Sequence, residues 1–379
     1  MEGLFFLLKT FNSQVDKIKE NNWEVHGMEV YYRNRFANPV IEHGRKAASS
    51  YKTYYRKQVQ LPIIECGAKD APLSEAKCMA SDKLYYRKQK QLPIIECGAE
   101  DAPFIRSQVH ASDKPYFMQE RIHEYGDVTA RRYPIYSATK TITSLAVGMA
   151  ADDGKMDIGC SVLTYIPEKT LSALPEEAKE RYRKVTIKRL LTMSVSGFPF
   201  RPEGESWLCN SLQYPVEPEK ATFDYSNVSA YLAGVAAANA LEEDLYAYLQ
   251  RRLFQPLGIE NPPFQRCPDG YFYGASGMEL TVNELSRIGF VLMDEGLFQG
   301  TRIVSREYVK EACSIQQMNR EGGYGYFIWK YQDGFRISGK WGQKCYIFPS
   351  RGLMVTYLAH MEEDSEQLTD YVREMINDF

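Results

Sequence analysis

Residues 137–152 read SATKTITSLAVGMAAD. Nearly every position is apolar or small, and the run stops just short of Gly154. This pattern predicts a buried helix that a glycine terminates. Ser137 opens it, and Lys140 follows three positions later. Residues i and i+3 share a helix face, about one turn apart, so the amine falls within reach of the hydroxyl. A serine at a helix start also meets the positive end of the dipole, which favours developing negative charge. A serine hydroxyl is a weak nucleophile until a base or a nearby cation activates it. The four-residue pattern alone is not specific, because Ser49–Lys52 and Ser74–Lys77 also fit it without a long helix following.

Two further patterns give the helix a context. Tyr225-Ser226-Asn227 is a Y-x-N lying 85 residues beyond Lys140; Tyr32-Arg33-Asn34 is a decoy of the same form. A phenol beside an ammonium has a lowered pKa, and in that state Tyr225 accepts the serine proton. The Asn227 amide offers a hydrogen bond to a substrate carbonyl. Lys340-Trp341-Gly342 is the one K-x-G in the chain. It falls on an expected strand, where Lys340 faces an anionic substrate group and the N–H of Gln343, after the glycine, faces an oxyanion.

Between these patterns the sequence is mainly helical. Residues 185–193, 229–241 and 245–254 have helical character, and Thr281-Val282-Asn283-Glu284 is a capping box that opens a helix over 281–295. From Tyr324 onward the pattern changes to strands over 324–331, 335–340, 344–348 and 353–360. Leu368, Val372, Met375, Ile376 and Phe379 then share a helical face, as do Leu4, Leu7, Leu8, Phe11, Val15 and Ile18 at the other end. The expected fold is α+β. An antiparallel sheet is flanked by N- and C-terminal helices, with a mostly helical subdomain beside it.

With its three patterns in this order, the chain resembles the serine β-lactamase and penicillin-binding-protein superfamily, nearest its class C and esterase-like branch. The likeness covers about residues 1–44 and 115–379. It includes Arg189 to Gly197 (RLLTMSVSG), similar to the family's LLTHTSG turn, and Gly339 to Gln343 in place of its G-[HK]-x-G strand. The resemblance implies that Ser137 attacks a carbonyl, that Lys140 and Tyr225 manage its proton and that Asn227 binds substrate. It further implies that Lys340 sets the electrostatics around Tyr225. The N–H groups of Ser137 and Gln343 would form an oxyanion hole, and water would hydrolyse the acyl-enzyme. Trp341 stands where β-lactamases carry a hydroxyl that helps hold the substrate carboxylate, which favours an ester or peptide substrate. Met193 replaces the turn's usual histidine. Trp207, on a Pro/Gly loop, and Tyr324 are further candidates for the pocket wall. A Ser-His-Asp triad would need His360 or His123, and neither lies in a motif. The rival functional readings are a penicillin-binding sensor that stays acylated and a non-catalytic scaffold.

One feature has no counterpart in the family pattern. YYRKQVQLPIIECGAKDAP at 54–72 recurs almost unchanged at 85–103, a period of 31 residues. Each copy predicts a short hairpin, so residues 45–114 are expected to be an inserted hairpin repeat, which the resemblance places in the first hairpin of the sheet, away from the Lys340 strand. The remaining segments are 1–44 (first helix and strand), 115–150 (return strand and nucleophile helix), 151–300 (helical subdomain) and 301–379 (sheet and last helix). Exposed hairpin edges make oligomerisation through the repeat an expectation. The net charge of −3 gives no footprint for nucleic acid. The eight cysteines form no CxxC pair and the five histidines no metal spacing, so neither metal nor cofactor is expected. No span or secretory signal is legible, so a cytoplasmic location and a small-molecule or peptide substrate are expected.

Overall fold

The structure, a computed structural model, describes residues 24–32, 120–126, 128–129, 131–362 and 365–377. The hairpin repeat and the first amphipathic segment lie outside these residues. Close backbone contacts divide the chain into residues 1–31 with 121–379, and residues 32–120. The description below concerns the first of these units.

Its strands are β1 (Val25–Tyr32), β2 (Glu120–Gly126), β3 (Tyr133–Pro134), β4 (Glu279–Leu280), β5 (Leu297–Phe298), β6 (Thr301–Arg302), β7 (Trp329–Tyr331), β8 (Gly334–Gly339), β9 (Gln343–Phe348) and β10 (Leu353–Ala359). Six of them form one sheet in the order β2-β1-β10-β9-β8-β7. The pairs β7–β8, β8–β9 and β9–β10 are antiparallel, with Gly339 opposite Gln343 and Leu353 opposite Phe348. In the sequence, the repeat lies between β1 and β2.

Alternation along the strands builds two cores. Cys345 and Ile347 of β9, with Met354 and Leu358 of β10, face the main core. Tyr346, Phe348, Val355 and Tyr357 face the other way, against Leu368, Val372, Met375 and Ile376 of the last helix, Ser365–Asn377. The main core holds three longer helices, α1 (Thr139–Asp152), α2 (Asn227–Leu241) and α3 (Val282–Met293). Helix α1 is buried from Thr139 to Ala150, as its continuous apolar pattern requires. Helix α3 opens on the capping box read from the sequence, with Thr281 and Glu284 bonding each other's backbone. Shorter helices such as Ile187–Leu191 and Trp207–Ser211 complete this mixed α and β body. No helix among the described residues is long and apolar enough to cross a membrane.

Two local expectations are corrected. The strand expected over 324–331 survives only as β7. Phe327 sits at φ 58° and donates its N–H to Leu191 O (2.9 Å), so the backbone turns instead of extending. Lys340-Trp341-Gly342 forms the turn between β8 and β9 and not a strand, with φ 60° at Trp341 and 91° at Gly342. Consecutive left-handed residues close a tight hairpin.

That hairpin end abuts the segment leading into α1. A Cβ built on Gly339 would lie 2.2 Å from the carbonyl oxygen of Ile135, two residues before Ser137. Gly339→Ala therefore forces the hairpin and the Ser137 turn apart. We expect it to destabilise the fold by about 1–3 kcal/mol and to slow any reaction of Ser137. Thermal unfolding and serine labelling of the variant check this, and an unchanged melting temperature contradicts it.

Candidate active site

Ser137 lies in a single 3-10 turn, Tyr136–Ala138, that runs directly into α1. Tyr136, just before it, holds φ 46°. A non-glycine residue in the left-handed region costs about 1–2 kcal/mol, so surrounding contacts must hold the turn. Its ring meets the Trp341 indole edge-to-face at 5.1 Å. Ile135 is tied to the neighbouring loop through its N–H to Met278 O (2.9 Å). Helical geometry leaves first-turn N–H groups without an intrahelical partner, and Ser137 is in that turn.

Lys140, one turn on, is 1% exposed. Its Nζ lies 3.0 Å from Ser137 Oγ, 2.7 Å from Asn227 Oδ1 and 2.8 Å from Ala275 O. Each partner comes from a different element. Asn227 begins α2, whose N-cap Ser226 accepts the Val228 N–H (3.0 Å). Ala275 belongs to an irregular segment laid along α1, where Thr143 Oγ1 donates to Gly274 O (2.7 Å). A side chain on Gly274 would meet that hydroxyl at 2.6 Å, so only glycine permits the approach. Burial lowers the Lys140 amine to about 7, with no carboxylate opposing it. A neutral amine has two N–H donors and one lone pair. Asn227 Oδ1 and Ala275 O take the donors, which leaves the lone pair for the serine O–H.

The ring of Tyr225 lies 5.0 Å from the Lys140 Nζ. It stands among Phe223 (6.4 Å), Tyr324 (6.4 Å) and Trp329 (5.7 Å). The expected lowering of its phenol is corrected. Burial pushes it up to about 12, and a hydrogen bond with Ser137 only partly offsets this. Dehydration outweighs any help to the phenolate, and no cation figures among the influences on it. At neutral pH Tyr225 is a proton donor. The segment before it is held by Met193, whose carbonyl, at a residue with φ 54°, accepts the Asp224 N–H (2.7 Å). That backbone contact is what the turn with the replaced histidine provides here.

Lys340 is not gathered into this group. It is exposed, and its ammonium lies 3.7 Å from the centre of the Trp341 ring. The hairpin turn points it at its own neighbour. Trp341 does stand beside the Ser137 turn, whereas a Cβ on Gly342 would face Ala359 and Leu368. The Gln343 side chain is occupied in holding the hairpin, donating to Ala359 O (2.5 Å). Trp207 packs edge-on against Tyr273 (5.1 Å), whose hydroxyl bonds Asn227. Tyr324 is 1% exposed and lies behind Tyr225, so it supports that ring and lines no surface.

Ala275, Tyr273 and Trp329 carry no sequence signal of their own; the Gly274–Gly277 flank of Ala275 is the nearest to one. A second lysine, Lys344, is also pushed down to about 7 by burial. It bonds Ser338 Oγ (2.5 Å), on the β9 face shared with Tyr346. Among the described residues no three His, Cys, Asp or Glu side chains converge as a metal site.

An antiparallel sheet with helices against both faces, and a Ser-x-x-Lys helix abutting its hairpin end, are the marks of the serine β-lactamase and penicillin-binding-protein superfamily. The family model for Beta-lactamase matches residues 128–374, and the chain belongs to that family. Among curated proteins, Protein flp of Staphylococcus aureus (strain N315) is 24% identical over 161 residues, 39% of this chain and 31% of that protein. The match thus spans about a third of that relative. Among solved structures, a putative beta-lactamase from Bacteroides dorei aligns with a TM-score of 0.56 at 17% identity, over 68% of this chain and 90% of its own. A putative 6-aminohexanoate-dimer hydrolase from Bacillus anthracis gives 0.54 at 14%, over 91% and 95%. A beta-lactamase/D-alanine carboxypeptidase from Pseudomonas syringae gives 0.52 at 16%, over 69% and 90%. At these identities the likeness is one of fold.

The amine governs the pH dependence. Only the neutral form has a lone pair, so acylation of Ser137 should rise with pH through about 7 and stay flat until Tyr225 ionises. Lys140→Met should remove about 10²- to 10⁴-fold of the rate. Asn227→Asp puts a carboxylate where an oxygen now lies 2.7 Å from the amine. It favours the ammonium and should move the rising limb up by about one to three pH units. Stopped-flow labelling across pH checks both, and a limb that Asn227→Asp leaves in place contradicts the assignment.

Proposed function

We propose that the chain is a serine hydrolase that forms an acyl-enzyme at Ser137 on an ester, amide or peptide-like substrate. The observation that carries this is the Lys140 amine, buried without a counter-charge and 3.0 Å from the Ser137 hydroxyl. Lys140 takes the serine proton as Oγ attacks the carbonyl carbon. The N–H groups of Ser137 and Gln343 receive the negative oxygen. Tyr225, a phenol at neutral pH, passes a proton to the leaving group as the carbon–heteroatom bond breaks, and the Lys140 ammonium gives the serine proton back to the Tyr225 oxygen, which restores the neutral amine. Water then attacks the acyl-enzyme, Lys140 again accepts the proton, and it returns that proton to Ser137 Oγ as the acyl–oxygen bond breaks.

Asn227 has two tasks in this scheme. Its oxygen holds the amine, and its nitrogen is left for Tyr273 and the substrate. Trp341 supports an ester or peptide substrate over a penicillin, because an indole at the hairpin tip offers no hydroxyl to a ring carboxylate. The names of the structural neighbours span lactam, amide and D-alanine carboxypeptidase chemistry, so they do not choose among substrates.

The test uses p-nitrophenyl butyrate and a fluorescent penicillin, with intact-mass analysis, beside Ser137→Ala. Ester turnover should fall by about 10³-fold or more in the variant, and the transient adduct should map to Ser137. A persistent adduct would make the chain a sensor. Turnover that survives Ser137→Ala overturns the reading.

A further inference from the structure

Three large hydrophobic side chains stand exposed among the described residues: Phe200 (64%), Met318 (62%) and Ile315 (47%). Scattered single exposures are ordinary. Phe200 and Met318 are the two most exposed, and the backbones around them are anchored beside Tyr225. The carbonyl of Pro199 accepts the Ser226 hydroxyl (2.6 Å), and that of Phe200 accepts the Asn227 N–H (2.7 Å). The loop bearing Phe200 is thus bonded to the same two residues that deliver Asn227 to Lys140. Met318 follows Gln317, which exchanges backbone hydrogen bonds with Tyr324 (2.8 and 3.0 Å). The Tyr324 ring in turn lies against Tyr225.

Both residues therefore sit on segments whose backbones are bonded to neighbours of Tyr225. A phenylalanine left in water forgoes the gain of burial, and a hydrogen-bonded loop cannot easily fold it away. We propose that Phe200 and Met318 are the apolar walls of the substrate cleft, and that they cover an apolar group carried by the substrate. This deepens the hydrolase reading and rests on it for the position of the scissile bond. An aliphatic or aromatic group on the acyl side and one on the leaving side present the same chemistry, so two ester series are needed to distinguish them.

The experiment is run where no chemistry occurs. In the Ser137→Ala protein, Kd is measured by tryptophan fluorescence for p-nitrophenyl esters of increasing acyl length and for acetate esters of increasing alcohol length. Affinity should rise with length in at least one series, by up to about fourfold per buried methylene. Adding Phe200→Ser should flatten that series, Phe200→Leu should restore it, and the melting temperature should not change. The flattened series identifies the side of the ester that Phe200 covers. Equal slopes with and without Phe200→Ser overturn the proposal. So does a Phe200→Ser protein that changes only its mass in solution, since the ring is then a contact between copies. Either result leaves the Ser137 reading standing, because loss of turnover in Ser137→Ala tests that separately.

Discussion

A lysine amine enclosed with no carboxylate beside it is the constraint around which the site is arranged. Burying an isolated ammonium is expensive, and the usual outcome is loss of the proton. The fold surrounds Lys140 with two oxygen acceptors and one hydroxyl, which suits a neutral amine as well as an ammonium. Removing water thus favours the neutral amine, one helical turn from the Ser137 hydroxyl that it deprotonates on the proposed reading. The same dehydration acts in the opposite direction on Tyr225. The result is an amine that loses its proton easily and a phenol that keeps its own, both close to one serine hydroxyl.

Holding this arrangement requires four pieces of chain to meet. Helix α1 supplies Ser137 and Lys140 on one face. Helix α2 supplies Asn227, with its cap pinned to the 199–200 loop. The Gly274–Ala275 segment lies against α1 only because Gly274 has no side chain. The β8–β9 hairpin closes the group, with the Gly339 backbone pressed on Ile135 and the Trp341 ring on Tyr136. Two left-handed residues, Tyr136 and Trp341, face each other at this junction. Strain of this kind persists only where its neighbours determine it.

The helices and central strands were legible in the sequence because their signals are local. A sixteen-residue run of mostly apolar or small residues, a capping box and strands broken at glycines needed no tertiary knowledge. The pairing of Ser137 with Lys140 was legible for the same reason, since helical spacing alone brings them together. The errors share a different cause. The sequence pattern puts Lys340 on a strand aimed at the site, yet Trp341 and Gly342 take positive φ and the lysine lies exposed over the Trp341 ring. Tyr225 was given a lowered pKa from its expected cation, whereas the aromatic shell that raises it comes from residues 223, 324 and 329. Tyr324 was expected in the cleft and is buried. Ala275 was invisible because its contribution is a backbone carbonyl, which any residue type supplies.

The central claim is that the Lys140 amine gives up its proton near neutral pH. It is tested most directly by titrating the protein with ¹³Cε-labelled lysine by NMR, assigning the resonance by its loss in Lys140→Met and separating Lys344 by its loss in Lys344→Met. The account predicts a midpoint for Lys140 near pH 7. A midpoint at the ordinary lysine value, about 10.4, would mean that the amine stays charged through the physiological range, and the mechanism built on its lone pair would be wrong.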